Sequence, residues 1–143
     1  MNTQNSQQEF RQNLATKEWE IIAPGRAERP KKFEPEAHKK SQETVRIPDY
    51  DPICPFCVGN EERTPNEITR IEKQGKWTAR VVPNKFPILS VDLCDLLPTR
   101  EKSGMYLRMH GCGSHELVIE HPRHGELLGT MTTEEVANVL FLY

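Results

Sequence analysis

Two cysteines separated by two residues, Cys54 and Cys57 in DPICPFCVGN, have the spacing that most directly implies chemistry in this chain. That interval lets both thiolates reach one tetrahedral Zn2+ at about 2.3 Å. It also occurs in redox dithiols, but these open a helix after a buried strand, so that the helix dipole lowers the first thiol's pKa. The flanks decide between the two. DPI before the pair and VGNEERTP behind it are turn residues on both sides. A zinc knuckle therefore fits better than a redox site, and the plain alternative is two buried thiols without a metal.

A structural zinc almost always takes four ligands, and the chain holds a single such pair. Cys94 and Cys112 are isolated, and each is expected to be a small apolar filler. The start MNTQNSQQEFRQN lacks the apolar core of an export signal, so the default compartment is the cytoplasm and the four cysteines are read as thiols or metal ligands, not a disulfide framework. Of the five histidines, His38 falls in a charged connector, and His110 and His115 flank the GCG turn, where capping or hydrogen bonding is their expected role. His121 and His124, in EHPRH, lie on a loop that can turn back over the preceding strand. On spacing alone either one could be the third ligand.

The elements that must position these groups read as α+β. Residues 1–15 are rich in Gln and Asn and are expected to form a loosely ordered lead-in to a domain spanning 16–143. EWEII, ITRIE, WTARVV, MYLRMH and HELVIE are short β-prone runs with turn residues between them, which predicts one antiparallel sheet. APGRAERP breaks the first run with two prolines and a glycine, and makes a basic loop. Residues 30–52 fit a long surface connection, and residues 83–104 a loop with an apolar anchor at Leu93, Leu96 and Leu97. Thr132 with Glu135 forms a capping box, and Val136, Val139, Leu140 and Tyr143 then recur at helical spacing. An apolar helix face with no polar tail suggests the front portion of a longer protein.

Composition limits the partners. With 143 residues, 19 Lys plus Arg and 21 Asp plus Glu, the formal net charge of -2 gives no chain-wide field for nucleic acid or an anionic membrane. No apolar run approaches the roughly 18 residues of a spanning helix. Any phosphate binding must be local.

WEIIAPGRAERP, CPFCVGNE with TPNEI behind it, WTARVVPNKFPIL and GCGSHELVIEHPRHGELLGTMTTEEV occur in an order that resembles the amino-terminal half of galactose-1-phosphate uridylyltransferases. The same blocks are similar to those of ADP-glucose phosphorylases. The resemblance implies a histidine-triad-like half-barrel of antiparallel strands with packing helices, cut short in this chain. It implies a structural Zn2+ on Cys54, Cys57 and His124, which breaks the tie with His121 and leaves a fourth ligand beyond position 143. Arg26 and Arg29 match a loop that contacts the diphosphate across a homodimer interface, as suits bidentate guanidinium forks; from the residues alone a solvated loop is the alternative. Asn84 matches a nucleotide-binding asparagine, and Lys85 beside it stands where some members have aspartate. Phe56 is read as a buried aromatic, with a place in the base pocket as the alternative.

The implied reaction is nucleotidyl transfer in galactose metabolism, from UDP-glucose to a hexose 1-phosphate through a covalent histidine intermediate. The nucleophile belongs to a His-x-His motif that these residues lack, so the chain alone is expected to be inactive. A stand-alone zinc-stabilised module that binds a nucleotide or a partner without catalysis is the competing expectation, as is a fragment of an ADP-glucose phosphorylase.

Overall fold

The computed structural model describes residues 7–29, 47–96 and 100–143. His38 and Leu97 lie outside the described residues. The chain divides into two compact units, each assembled from two separated stretches: residues 1–30 with 86–115, and residues 31–85 with 116–143.

The first unit carries a four-stranded antiparallel sheet in the order β2-β1-β6-β5, formed by β1 (Glu9–Gln12), β2 (Trp19–Ile22), β5 (Glu101–Ser103) and β6 (Tyr106–His110). Asn13 closes the β1–β2 turn, its Oδ1 accepting from the amides of Ala15 and Thr16 at 2.9 and 3.2 Å. Glu9–Gln12 falls in the stretch expected to be a loose lead-in. It is a strand because it has partners on both edges, Phe10 facing Ile21 on one side and Met109 on the other. Between the strands, Pro24–Glu28 forms a 3-10 turn with proline at its start, a position that gives up no needed N–H.

The second unit holds a three-stranded antiparallel sheet in the order β3-β4-β7, made of β3 (Thr69–Lys73), β4 (Lys76–Pro83) and β7 (Glu116–Ile119), with α1 (Thr133–Leu142) packed against β4. Gln74 and Gly75 both have positive φ, 55° and 74°, the two-residue turn whose twist matches that of the strands it joins. Central β4 is buried on both faces, and Trp77, Val82 and Ile119 form its core with Leu117. The capping box is present: the Glu135 amide donates to Thr132 Oγ1 at 3.3 Å, and the Thr132 amide donates to Glu135 Oε2 at 2.8 Å. Val139 is the fully buried residue of the helix, whereas Leu140 and Tyr143, expected on the same face, are exposed.

The architecture is therefore α+β with antiparallel strands, as expected, but MYLRMH pairs with β1 and β5 instead of joining one sheet with WTARVV and HELVIE. Of the anchor expected in residues 83–104, Leu93 is buried and Leu96 is exposed. Cys94 and Cys112 are not apolar fillers. They form a disulfide with Cα atoms 4.6 Å apart, and both residues are exposed. An isolated bridge between Ser90 and Cys112 brings the two turns together, a contact that the intervening residues hide from a spacing argument. No helix among the described residues is long and apolar enough to cross a membrane.

Candidate metal centre

The knuckle is built by its own backbone. The Cys54 amide donates to the Asp51 carbonyl at 3.2 Å, and the Asn60 amide donates to the Cys57 carbonyl at 3.1 Å. Asp51 Oδ1 accepts from the Ile53 amide at 2.9 Å, so that the chain turns immediately before the first cysteine. Gly59, with φ +88°, makes the exit turn where a side chain would be strained. Asn60 is buried, and its Nδ2 lies 3.3, 3.4 and 2.7 Å from the carbonyls of Asp51, Pro52 and Cys54. One amide group thus collects carbonyls from the segment leading into the knuckle.

The third residue arrives from the loop after β7. The His124 amide donates to the Asp49 carbonyl at 2.8 Å, which fixes that loop beside the start of the knuckle. His124 Nδ1 then lies 3.5 Å from Cys57 Sγ. The ligand atoms of Cys54, Cys57 and His124 all fall within 4.8 Å of one another. Two sulfurs and an imidazole are the donor set that zinc favours, and three donors around one point leave room for a fourth.

His121 is engaged elsewhere. Its Nδ1 accepts from the Arg123 amide at 3.0 Å, and its Nε2 faces Glu135 Oε1 at 3.4 Å. Both ring nitrogens are used, so His121 ties the loop to the start of α1 while His124 faces the cysteines. Glu135 is correspondingly held below the ordinary carboxylate range, first by the Thr132 amide and hydroxyl, with a smaller contribution from His121.

Cys57 is 1% exposed, and burial pushes its thiol above the ordinary value. The Asp51 amide, 3.4 Å from its Sγ, pulls the other way, and neighbouring Cys54 adds to the rise. A thiolate here is costly without a cation beside it, and an ion bound by both sulfurs would supply that cation.

Beneath the knuckle, Arg80 of β4 is as buried as Cys57. Burial lowers its pKa, and Glu61 and Glu67 pull it back. Trp77 Nε1 donates to Glu61 Oε1 at 2.6 Å, and the Gly59 amide donates to the same oxygen at 3.0 Å. Burial alone would raise the Glu61 carboxyl, but the Trp77 and Gly59 donors and the Arg80 charge hold it below its ordinary value. Neither Asn60 nor Arg80 was singled out from the sequence. For Arg80 the signal was a lone charge inside the apolar run WTARVV.

The residues matched to substrate binding are placed as follows. Arg26 is half-buried in the Pro24–Glu28 turn and donates from Nη1 to the Phe86 carbonyl at 3.4 Å, while Arg29 is exposed just beyond. Asn84 is half-buried and Lys85 exposed, both directly after β4. The two arginines belong to the first unit, Asn84 and Lys85 to the second. Phe56 is 38% exposed, contrary to its reading as a buried aromatic.

Residues 1–142 match the family model for galactose-1-phosphate uridyl transferase, N-terminal domain. The chain belongs to this family. An ADP-glucose phosphorylase of Arabidopsis thaliana is 30% identical over 141 residues, covering 98% of this chain and 38% of the relative. A probable galactose-1-phosphate uridylyltransferase of Drosophila melanogaster is 26% identical over 130 residues, 91% of this chain and 34% of the relative. Among solved structures, the Arabidopsis ADP-glucose phosphorylase with bound ADP-glucose matches at a TM-score of 0.54 and 30% identity, over 94% of this chain and 35% of that one. A galt-like protein of the same plant matches at a TM-score of 0.51 and 31% identity, over 67% of this chain and 29% of that one. The chain spans little more than a third of the length of the relatives it matches.

Proposed function

We propose that these residues are the amino-terminal part of a UDP-glucose:hexose-1-phosphate uridylyltransferase, with Zn2+ held by Cys54, Cys57 and His124. The observation that carries the reading is the meeting of those three side chains in a chain of this family. The ion, when bound, cross-links the knuckle to the loop after β7 and takes no part in the transfer. Arg26 and Arg29 bind the diphosphate, and Asn84 with Lys85 the nucleotide. Guanidinium forks suit that task because they pair with phosphate oxygens through two parallel hydrogen bonds. The transferring imidazole lies outside these 143 residues. It displaces glucose 1-phosphate from the α-phosphorus of UDP-glucose and passes the uridylyl group to the acceptor phosphate.

A second reading, phosphorolysis of ADP-glucose, is favoured by the higher identity to the plant phosphorylase, 30% against 26%. Metal analysis and a substrate comparison test both. About one Zn2+ per purified chain is expected, and none would overturn the metal assignment. The chain alone should form no UDP-galactose from UDP-glucose and galactose 1-phosphate, and turnover by it would overturn the placement of the nucleophile. In a longer protein that includes a His-x-His segment, faster uridylyl transfer than ADP-glucose phosphorolysis supports the first reading, and the reverse order supports the second.

A further inference from the structure

Arg80 places a full charge where charge is expensive. Its side chain is 1% exposed, and its β4 position faces Arg70 of β3 and Ile119 of β7 in the sheet register. Removing a guanidinium from water is costly unless its hydrogen bonds are replaced. The replacement is incomplete. Nη1 donates to Thr64 Oγ1 at 3.2 Å and Nη2 to the Pro55 carbonyl at 3.4 Å. The nearest Glu67 oxygen is 4.0 Å away, and both Arg80 Nε and Glu67 Oε2 are buried without a hydrogen-bond partner among the described residues. A methionine of similar length would occupy the space without that cost. What the arginine adds is direction.

Its contacts converge on the knuckle. Pro55 lies between the two cysteines, and Thr64 lies where the chain leaves the 3-10 turn Glu61–Arg63. The guanidinium carbon sits 5.2 Å from the centre of the Trp77 ring, within cation–π range. Through its indole, Trp77 holds Glu61, and Glu61 holds the Gly59 amide on the other side of Cys57. Central β4 therefore grips the knuckle at Pro55, Gly59 and Thr64 without using either sulfur.

We propose that Arg80 is a positioning residue for the metal centre, ordering the turn between Cys54 and Cys57 before any ion arrives. This rests on the reading of Cys54, Cys57 and His124 as the ligand set. It follows that the metal-free chain keeps its knuckle folded and offers a nearly finished site. That distinguishes it from small zinc modules whose binding free energy is their folding free energy.

The test compares the wild-type chain with Arg80→Met, Arg80→Lys and Thr64→Val by two readouts. The first is hydrogen exchange at the Cys54, Gly59 and Asn60 amides in metal-free protein. The second is titration with Co2+, whose d–d and thiolate charge-transfer bands report tetrahedral geometry. In the wild type these amides are expected to be protected. Arg80→Met should exchange at least about tenfold faster there while the β4 amides stay protected, and its Co2+ affinity should fall by roughly 10- to 100-fold, the usual range for outer-shell partners, with altered d–d bands. Arg80→Lys keeps the charge but lacks the fork, so it should recover only part of the affinity. Thr64→Val should show a smaller loss and carries the test, together with Arg80→Lys, if Arg80→Met does not fold. Wild-type bands and affinity in these variants would overturn the role of Arg80 and leave the ligand assignment standing. A wild-type chain that binds no Co2+ would remove the assignment itself, and the role with it.

Discussion

Two regions of this molecule each bring two cysteines together, and they do so in opposite ways. At the knuckle, Cys54 and Cys57 are three positions apart in the chain and remain free thiols beside His124, within a frame of backbone carbonyls collected by Asn60. In the other unit, Cys94 and Cys112 are 18 residues apart and covalently joined, both exposed on turns that the Ser90–Cys112 bridge holds in contact. The residue type is the same, and the surroundings decide its use. Where a third donor and a buried turn converge, two sulfurs and an imidazole come close enough that they could hold an ion. Where two exposed turns meet, sulfur closes on sulfur.

The largest effect should separate the two pairs completely. Cys57→Ser is expected to weaken Zn2+ binding by more than the roughly 100-fold upper range of outer-shell changes, measured by competition with a chromophoric chelator. Cys94→Ser should leave Zn2+ affinity unchanged. In denaturant, alkylation should modify two thiols per chain without reductant and four with it, matching two free cysteines of four.

Next, reducing the Cys94–Cys112 bond should lower unfolding stability by about 3 kcal/mol, the chain-entropy expectation for a loop of this size, in a denaturant titration with and without a dithiol. Asn60→Ala should cost about 1–3 kcal/mol by leaving three carbonyls without their shared donor, and should act on the knuckle unit alone. Thr132→Ala removes the helix cap and should cost about 1 kcal/mol.

The smallest effect is a pH dependence that, of the two cysteine pairs, only the knuckle pair can show, since disulfide sulfurs do not titrate. Burial raises the Cys57 thiol, so in the metal-free chain its contribution to stability is present below the ordinary thiol range and lost as pH rises through the folded value. Metal binding has the opposite sign, because the ligand thiols must lose their protons: apparent Zn2+ affinity should rise with pH. Urea midpoints across pH with and without Zn2+ check both slopes.

The sequence disclosed those features that local chemistry writes. Cys54 and Cys57 declared themselves by spacing and flanking turns, and Thr132 with Glu135 declared the start of the helix. The strands were legible as β-prone runs, but their division between two sheets was not, because MYLRMH carries no mark of which edge it will meet. The disulfide escaped for the same reason. Its partners come together only through pairing of distant turns. His124 could not be separated from His121 by spacing, since the distinction lies in hydrogen bonds: His121 spends both nitrogens on Arg123 and Glu135. Arg80 was visible as an odd charge in an apolar strand, yet its Pro55 contact required the knuckle to be folded over it.

The discontinuous build of the second unit sets a timetable for the nascent chain. His124 trails Cys57 by 67 positions, with an entire excursion through the other unit between them. At roughly 5–20 residues per second on the ribosome, the paired sulfurs wait several seconds for their imidazole. Until β7 emerges, β4 also has an open edge. The three side chains can meet only after β7 has emerged, so a complete site would mark the point at which the strand has returned and the edge of β4 is closed.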